Sequence, residues 1–385
     1  MNNFPIDKFE KLSTPFYFYD MDLLQRTLDT IKDELTYHNN FVVHYAVKAN
    51  ANPALLRAIS AAGFGADCVS GGEIELACRC GFRPETIVFA GVGKSDREIA
   101  LALERDIFCF NVESIPELEV INNMAGDMGK VAKVAFRINP NVDAHTHANI
   151  TTGLPENKFG IPLTDTENVI HTANLMNNVE FVGLHFHIGS QVLEMKPFAT
   201  LCKRINNLLT TLEERNIKVK NINVGGGLGI NYDNPDDFPI PDFKRYFEVY
   251  AENLELREGQ TLHFEPGRSI VGQCGSLITR VLFIKQGEKK TFAIVDAGMT
   301  DLIRPALYDA YHRIENISSE EGDGDIYDVV GPICESSDVF GKKVRMQKSV
   351  RGDLIAIRSA GAYGEVMASG YNCRPLPIGY TSDKL

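Results

Sequence analysis

Several features that would divert a chain from ordinary cellular enzymology are missing here. No apolar run in the 385 residues reaches the length needed to span a bilayer, and the start MNNFPIDKFEK has no basic stretch followed by an apolar core and a small-residue cleavage site. No membrane association and a cytoplasmic location are therefore expected. Positive charge is in deficit: 39 Lys+Arg against 51 Asp+Glu give a net −12, which opposes non-specific binding to nucleic acid or anionic lipid. The eight cysteines, at 68, 78, 80, 109, 202, 274, 334 and 373, are too sparse for a disulfide scaffold. Only Cys78 and Cys80 are close, and a C-x-C on a helix-like stretch lacks the second pair that zinc requires, so no metal is expected and buried apolar thiols are the plain reading. No internal repeat or low-complexity linker breaks the chain.

What is present is a rhythm. Short apolar runs recur at FVVHYAV (41–47), GADCV (65–69), TIVFA (86–90), IFCFN (107–111), VAKVAFRI (131–138), FVGLHFHI (181–188), INVGG (222–226) and TLHFE (261–265). Helix-like stretches lie between them, among them NPALLRAISAAG, where Pro53 suits the first turn and Gly63 the end, and the long MKPFATLCKRINNLLTTLEE. Strands apolar throughout, each followed by a helix, call for a parallel sheet covered on both faces. Eight such units predict an α/β fold, a (β/α)8 TIM-like barrel. After about residue 270 the pattern becomes short, partly alternating strands (CGSLITRVLFIKQ, KKTFAIVDA, KKVRMQKSV, DLIAIRSA) with no long helix, which predicts a C-terminal all-β domain. The expected boundaries are 1–24, whose PFYFY returns to pair with the β domain; 25–270, the barrel; and 271–385, the β domain. The acidic SSEEGDGD (318–325) reads as an exposed turn.

Four predicted strand ends carry polar or glycine groups, at the face where such barrels gather reactive side chains. Lys48 closes FVVHYAV, as a solvated end or as a Schiff-base lysine. In HFHIGSQ the alternation puts His185 and His187 on one side, for a metal or for a ring lying against a ligand, and Ser190 follows in a small turn suited to an anion. NVGGGLG places Gly225, Gly226 and Gly227 where consecutive amides cradle phosphate or simply turn tightly. FEPGR offers Glu265, a permissive Gly267 and Arg268, or a surface ion pair. Together an aldehyde-reactive lysine, a flat-face contact, a phosphate cradle and a carboxylate are the parts needed to hold pyridoxal 5'-phosphate.

The same strings, with FRINPNVDAHTH (136–147), KFGI (158–161), VDAGMTDLIRPALYDAYH (295–312), CESSD (334–338) and GAYGEVMASGYNCRP (361–375), run nearly end to end in the order found in a known family. The chain resembles the diaminopimelate decarboxylases, alanine-racemase-like enzymes of PLP fold type III. The resemblance implies a homodimer with active sites shared across its interface, and decarboxylation of meso-2,6-diaminopimelate to L-lysine. It implies that Lys48 holds the cofactor aldehyde, His187 stacks on the ring, and Glu265 pairs with the pyridine nitrogen. Ser190, Gly225, Gly226, Gly227, Gly267, Arg268 and Tyr371 would serve the cofactor, chiefly its phosphate. Arg268, Arg304, Tyr308, Glu335 and Tyr371 would hold the distal end of the substrate. Cys334 would stand beside the reacting carbon, where it or Lys48 returns the proton, and Asp67 and Arg137 match a pair near the cofactor.

Departures are Phe186 where a small residue or cysteine is common, Thr300 where asparagine is common, and Gly370 where asparagine is common, whose freedom would loosen the turn bearing Tyr371. Rival readings are decarboxylases of ornithine, arginine or carboxynorspermidine, an alanine-racemase-like activity, and a catalytically silent PLP-binding regulatory protein. The arginine of LIRPALY and the ESSD after Cys334 favour a substrate that keeps a distal carboxylate and amine.

Overall fold

The computed structural model describes residues 4–142, 158–319 and 324–385. Residues 143–147 of FRINPNVDAHTH and 320–323 of the acidic SSEEGDGD therefore lie outside the described residues. Two compact units emerge: Leu28–Gly229 with Asp242–Gly267, and Met1–Thr27 with Ile230–Pro241 and Arg268–Leu385. Residues 230–241 thus group with the second unit, although the sequence reading had placed them in the barrel.

In the first unit the eight expected runs form strands: Phe41–Ala46, Gly65–Cys68, Ile87–Phe89, Cys109–Val112, Ala132–Asn139, Val179–His185, Asn221–Asn223 and Thr261–Phe264. Each pairs in parallel with the next, the last pairs with the first, and the barrel closes; a two-residue segment, Ile161–Pro162, adds to the fifth strand. Helices alternate with them for reasons visible in the residues. Asn52 caps Pro53–Ala61 by accepting from the Ala54 N–H, Ser70 caps Gly71–Arg79, and Ser95 with Glu98 forms a capping box on Asp96–Glu104. Gly63, at φ +91°, takes the left-handed conformation just past the first of these helices.

The last strand is anchored on its outer face by rings. Phe264 meets Phe41, Tyr246, Phe247 and Tyr250 at centroid distances of 5.0 to 5.6 Å, the last three from the helix Phe243–Asn253. Such contacts contribute about 0.5–1.5 kcal/mol each beyond the area they bury. Tyr246 also donates its hydroxyl to the carbonyl of Gly226 (3.2 Å), so the same helix tethers the glycine turn.

Inside the barrel, residues two apart share a face. Gly65 stands opposite His44 in register, and a methyl group there would lie 2.4 Å from the His44 ring and 2.3 Å from the Thr86 carbonyl. The glycine makes room for the imidazole, which bonds that carbonyl at 3.0 Å and His263 at 2.9 Å. GADCV is a weak strand by composition because the space at Gly65 is filled by a side chain of the neighbouring strand.

In the second unit the long strand Gly275–Gln286 is the axis. It pairs with Leu354–Ile357 and Thr291–Val295, and the sheet extends to Ile314–Asn316 on one side and to Asp325–Val330 and Val339–Met346 on the other. Phe16–Tyr19, the PFYFY strand, returns as expected: it runs antiparallel to Gly275–Ile278 and parallel to Ile378–Thr381. Its side chains enter a cluster of Phe9, Phe16, Phe18, Ile278 and Leu354. No helix of the described residues is long and apolar enough to cross a membrane.

Candidate active site

Lys48 sits in a single 3-10 turn, Val47–Ala49, that continues the first barrel strand. The buried Tyr45 hydroxyl donates to the Asn50 carbonyl (2.9 Å), and the Ala46 N–H donates to the Pro266 carbonyl (3.1 Å), so YAVKAN is fastened to FEPGR. Gly267 is required by this seam: a Cβ there would meet those of Ala46 and Ala49 at 3.0 Å. Lys48 Nζ lies 3.2 Å from Asp67 Oδ2, whose carboxylate is fully buried.

Glu265 follows the eighth strand and is buried as well. Its Oε1 accepts from Asn223 Nδ2 at 2.6 Å and Asn111 Nδ2 at 3.4 Å, and its Oε2 is 2.9 Å from His185 Nε2. Burial alone would raise this carboxyl, but His185, then Lys48 and His44, overcome it and hold the group below the usual carboxylate range. Asp67 is displaced the other way, raised by burial and by the Glu265 charge against the opposing pull of Lys48. Two carboxyls in one barrel mouth are thereby pushed in opposite directions, Glu265 down and Asp67 up.

His187 lies beyond the end of the sixth strand, while His185 is its last residue. Between them the Phe186 N–H donates to the Asn223 carbonyl (2.7 Å), which carries the pairing with the seventh strand one residue past His185. Burial, then Arg137 and Lys48, hold the His187 ring well below the ordinary imidazole value, so it is neutral. The glycine turn presses on it: a Cβ on Gly225 would stand 2.5 Å from His187 Nδ1, and one on Gly226 2.2 Å from the Glu265 carbonyl. The Gly225 N–H is taken by Asn223 Oδ1 at 2.9 Å. Ser190 ends the HIGS turn, half-buried.

Arg137 does not pair with Asp67. Its Nη1 donates to Glu113 Oε1 (3.1 Å) and its guanidinium covers the Phe159 ring at 4.6 Å, while the Gly160 N–H donates to Glu113 Oε2 (2.9 Å). The KFGI string is thus tied to the fifth strand by Glu113, a residue that sequence reasoning missed. It also missed Asn111, Asn223 and His185 as partners of Glu265. Their signal was available: each is a polar residue at, or one short of, the C-terminal end of its strand.

In the other unit, Arg268 opens the short helix Arg268–Val271 and donates from Nη1 to the Tyr232 hydroxyl at 2.6 Å. Arg304 opens Arg304–Tyr308, which also carries Tyr308. A second knot joins three of the sequence motifs. The buried Asp338 accepts from the N–H groups of Ile333 (2.7 Å) and Met299 (2.6 Å), which leaves Cys334 and Glu335 on an exposed turn. Cys334 N–H donates to Asn372 Oδ1 (3.3 Å), and Ser369 N–H to the Thr300 carbonyl (2.9 Å). Cys334, Glu335 and Tyr371 are therefore brought together, with Tyr371 50% exposed.

The barrel residues fit pyridoxal phosphate. Asp67 Oδ1 and His185 Nδ1 are buried without hydrogen-bond partners among the described residues, as expected where an outside polar group completes the bonding. A lysine, a neutral ring and a carboxylate kept ionised stand just past the C-terminal ends of the first, sixth and eighth strands of one barrel.

The pyridoxal-binding domain of the pyridoxal-dependent decarboxylases matches residues 21–272. A diaminopimelate decarboxylase of Bacteroides thetaiotaomicron is 66% identical over 382 residues, 99% of each chain. The crystal structure of Helicobacter pylori diaminopimelate decarboxylase complexed with L-lysine is 40% identical with a TM-score of 0.92, covering 98% of this chain and 93% of that one. That of the M. jannaschii enzyme in co-complex with L-lysine is 37% identical with a TM-score of 0.90, covering 98% and 90%.

Gly370 proves not to be the loose point of its turn. Its φ of −86° and ψ of 21° suit any residue, and a Cβ would meet only the Arg374 carbonyl, at 3.7 Å. The left-handed residues are Asn372 and Cys373, at φ 55° and 56°. Gly370→Asn should therefore raise stability by about 0.4–1 kcal/mol through the unfolded chain's entropy and leave turnover intact. Urea unfolding checks this, and a loss of stability would show that the glycine is needed.

Proposed function

The chain belongs to the pyridoxal-dependent decarboxylases, among the diaminopimelate decarboxylases, and from that membership we propose how its residues divide the work. The reaction is decarboxylation of meso-2,6-diaminopimelate to L-lysine and CO2 with pyridoxal 5'-phosphate as cofactor. The observation that carries our assignment is the buried Glu265 carboxylate, bonded by His185 and Asn223 and held ionised. When bound, the cofactor supplies an aldehyde for the substrate amine and a ring that accepts the electron pair left by CO2.

Glu265 keeps a proton on the pyridine nitrogen, which makes the ring a better acceptor. Lys48 would hold the cofactor through its aldehyde, and Asp67 lies 3.2 Å from the Lys48 amine that would do so. His187, kept neutral and closely approached by Gly225, would stack on the cofactor ring. Ser190, the amides of the turn at Gly226 and Gly227, Arg268 and Tyr371 receive the phosphate; Gly225 and Gly267 allow the backbone approach. Arg268, Arg304, Tyr308, Glu335 and Tyr371 bind the distal carboxylate and ammonium, and Cys334 or Lys48 returns the proton to the reacting carbon. The enzyme works in the cytoplasm, where its eight free thiols are at home.

Substrate choice follows from a guanidinium that engages the distal carboxylate and a Glu335 that engages the distal ammonium. Release of CO2 from meso-diaminopimelate, ornithine and arginine should be measured side by side on the purified protein. Diaminopimelate should be turned over far faster than the others, which lack one carboxylate; faster turnover of ornithine would reverse the assignment.

Cys334 and Glu335 stand exposed on their turn, and we place them in the active site of a partner subunit in a two-fold dimer. Lys48→Ala and Glu335→Ala chains, each inactive alone, should then complement. Random mixing gives half heterodimers with one intact site each, so about a quarter of wild-type activity per chain should return. Heterodimers that form without recovering activity would rule out this sharing.

A further inference from the structure

Buried guanidiniums ordinarily pair with carboxylates. Arg358 follows the rule: it is bonded to Glu315 and, at 2.8 Å, to Asp236 Oδ1. Arg304 lies in the same unit, 6% exposed, and its partners among the described residues are uncharged. Its Nη1 is 2.9 Å from His312 Nε2, and its guanidinium lies 5.0 Å from the centroid of the Tyr232 ring. Tyr232 and His312 pack edge to face, 5.2 Å between centroids at 81°.

The tautomer of His312 is fixed by its other contact. Nδ1 lies 2.9 Å from the Arg358 carbonyl oxygen, which can only accept, so Nδ1 carries the hydrogen and Nε2 presents a lone pair to Arg304. Burial, reinforced by the Arg304 charge, pushes His312 down to about 3, so this state persists through the neutral range.

We infer that His312 and Tyr232 are positioning residues that orient the Arg304 guanidinium without neutralising it, reserving its charge for the carboxylate that substrate and product share. The inference rests on the reading of Arg304 as a substrate-binding residue. A carboxylate in place of His312 would fix the arginine equally well, but the ligand would have to compete with it. An imidazole lone pair and an aromatic face use the geometry of the guanidinium and leave its charge intact.

The test is binding of L-lysine to the holoenzyme by calorimetry, alongside KM and kcat for meso-diaminopimelate, in His312→Gln, His312→Glu, His312→Leu and Arg304→Leu. Gln retains a neutral acceptor and should stay within about threefold of wild type in lysine affinity, whereas Leu should lose about tenfold, the loss of one hydrogen bond to a charged group. Glu should lose at least as much as Leu although it keeps an acceptor, and in all three KM should rise more than kcat falls. Wild-type lysine affinity in His312→Leu, or in His312→Glu, overturns the inference, as does equal impairment of Gln and Leu at native melting temperature. If Leu fails to fold, Gln against Glu still decides. Unchanged lysine binding in Arg304→Leu removes the reading of Arg304 and the inference with it; loss there with none in His312→Leu removes the inference alone.

Discussion

A buried carboxylate at the mouth of the barrel governs the geometry around it. An ionised group cannot be taken from water unless donors replace the solvent, and for Glu265 these are His185, Asn223 and Asn111, drawn from three other strands. Those strands must therefore carry a polar residue at or next to their C-terminal ends. The backbone follows: Glu265 N–H donates to the Gly225 carbonyl at 2.8 Å, and the Glu265 carbonyl leaves no space for a side chain on Gly226. One layer down, His44 and His263 bond to each other in room conceded by Gly65. The polarity of the interior is a consequence of keeping one charge buried.

The two units handle charge in opposite ways. The barrel surrounds its anion with donors, so Glu265 is ionised before any ligand arrives. The sheet unit buries Arg304 against an imidazole and a phenol ring, so its charge is oriented but not cancelled.

Much of this was legible in the sequence because the barrel strands are apolar on both faces and each is followed by a helix with a readable cap. Even the weak GADCV and INVGG proved to be strands, their poor composition explained by neighbours that fill the space. Lys48, Glu265 and the glycine turn announced themselves as chemistry at strand ends. Pairings were not legible. Arg137 goes to Glu113 instead of Asp67, and Tyr232 and His312 meet Arg304 from 72 and 8 residues away, which no spacing rule connects. Gly370 misled because a glycine suggests freedom, while the unusual torsions fall on Asn372 and Cys373.

The central claim is that the Glu265 charge, not its size, drives the chemical step. Glu265→Gln keeps the shape and most of the hydrogen bonds while removing the charge. Single-turnover decarboxylation of meso-diaminopimelate should be compared with cofactor affinity in the wild type and the variant. The account predicts a rate reduced by about a hundredfold or more, the scale of losing one fixed charge in a buried site, with cofactor affinity changed far less. An unchanged single-turnover rate in a variant that still binds cofactor would contradict it.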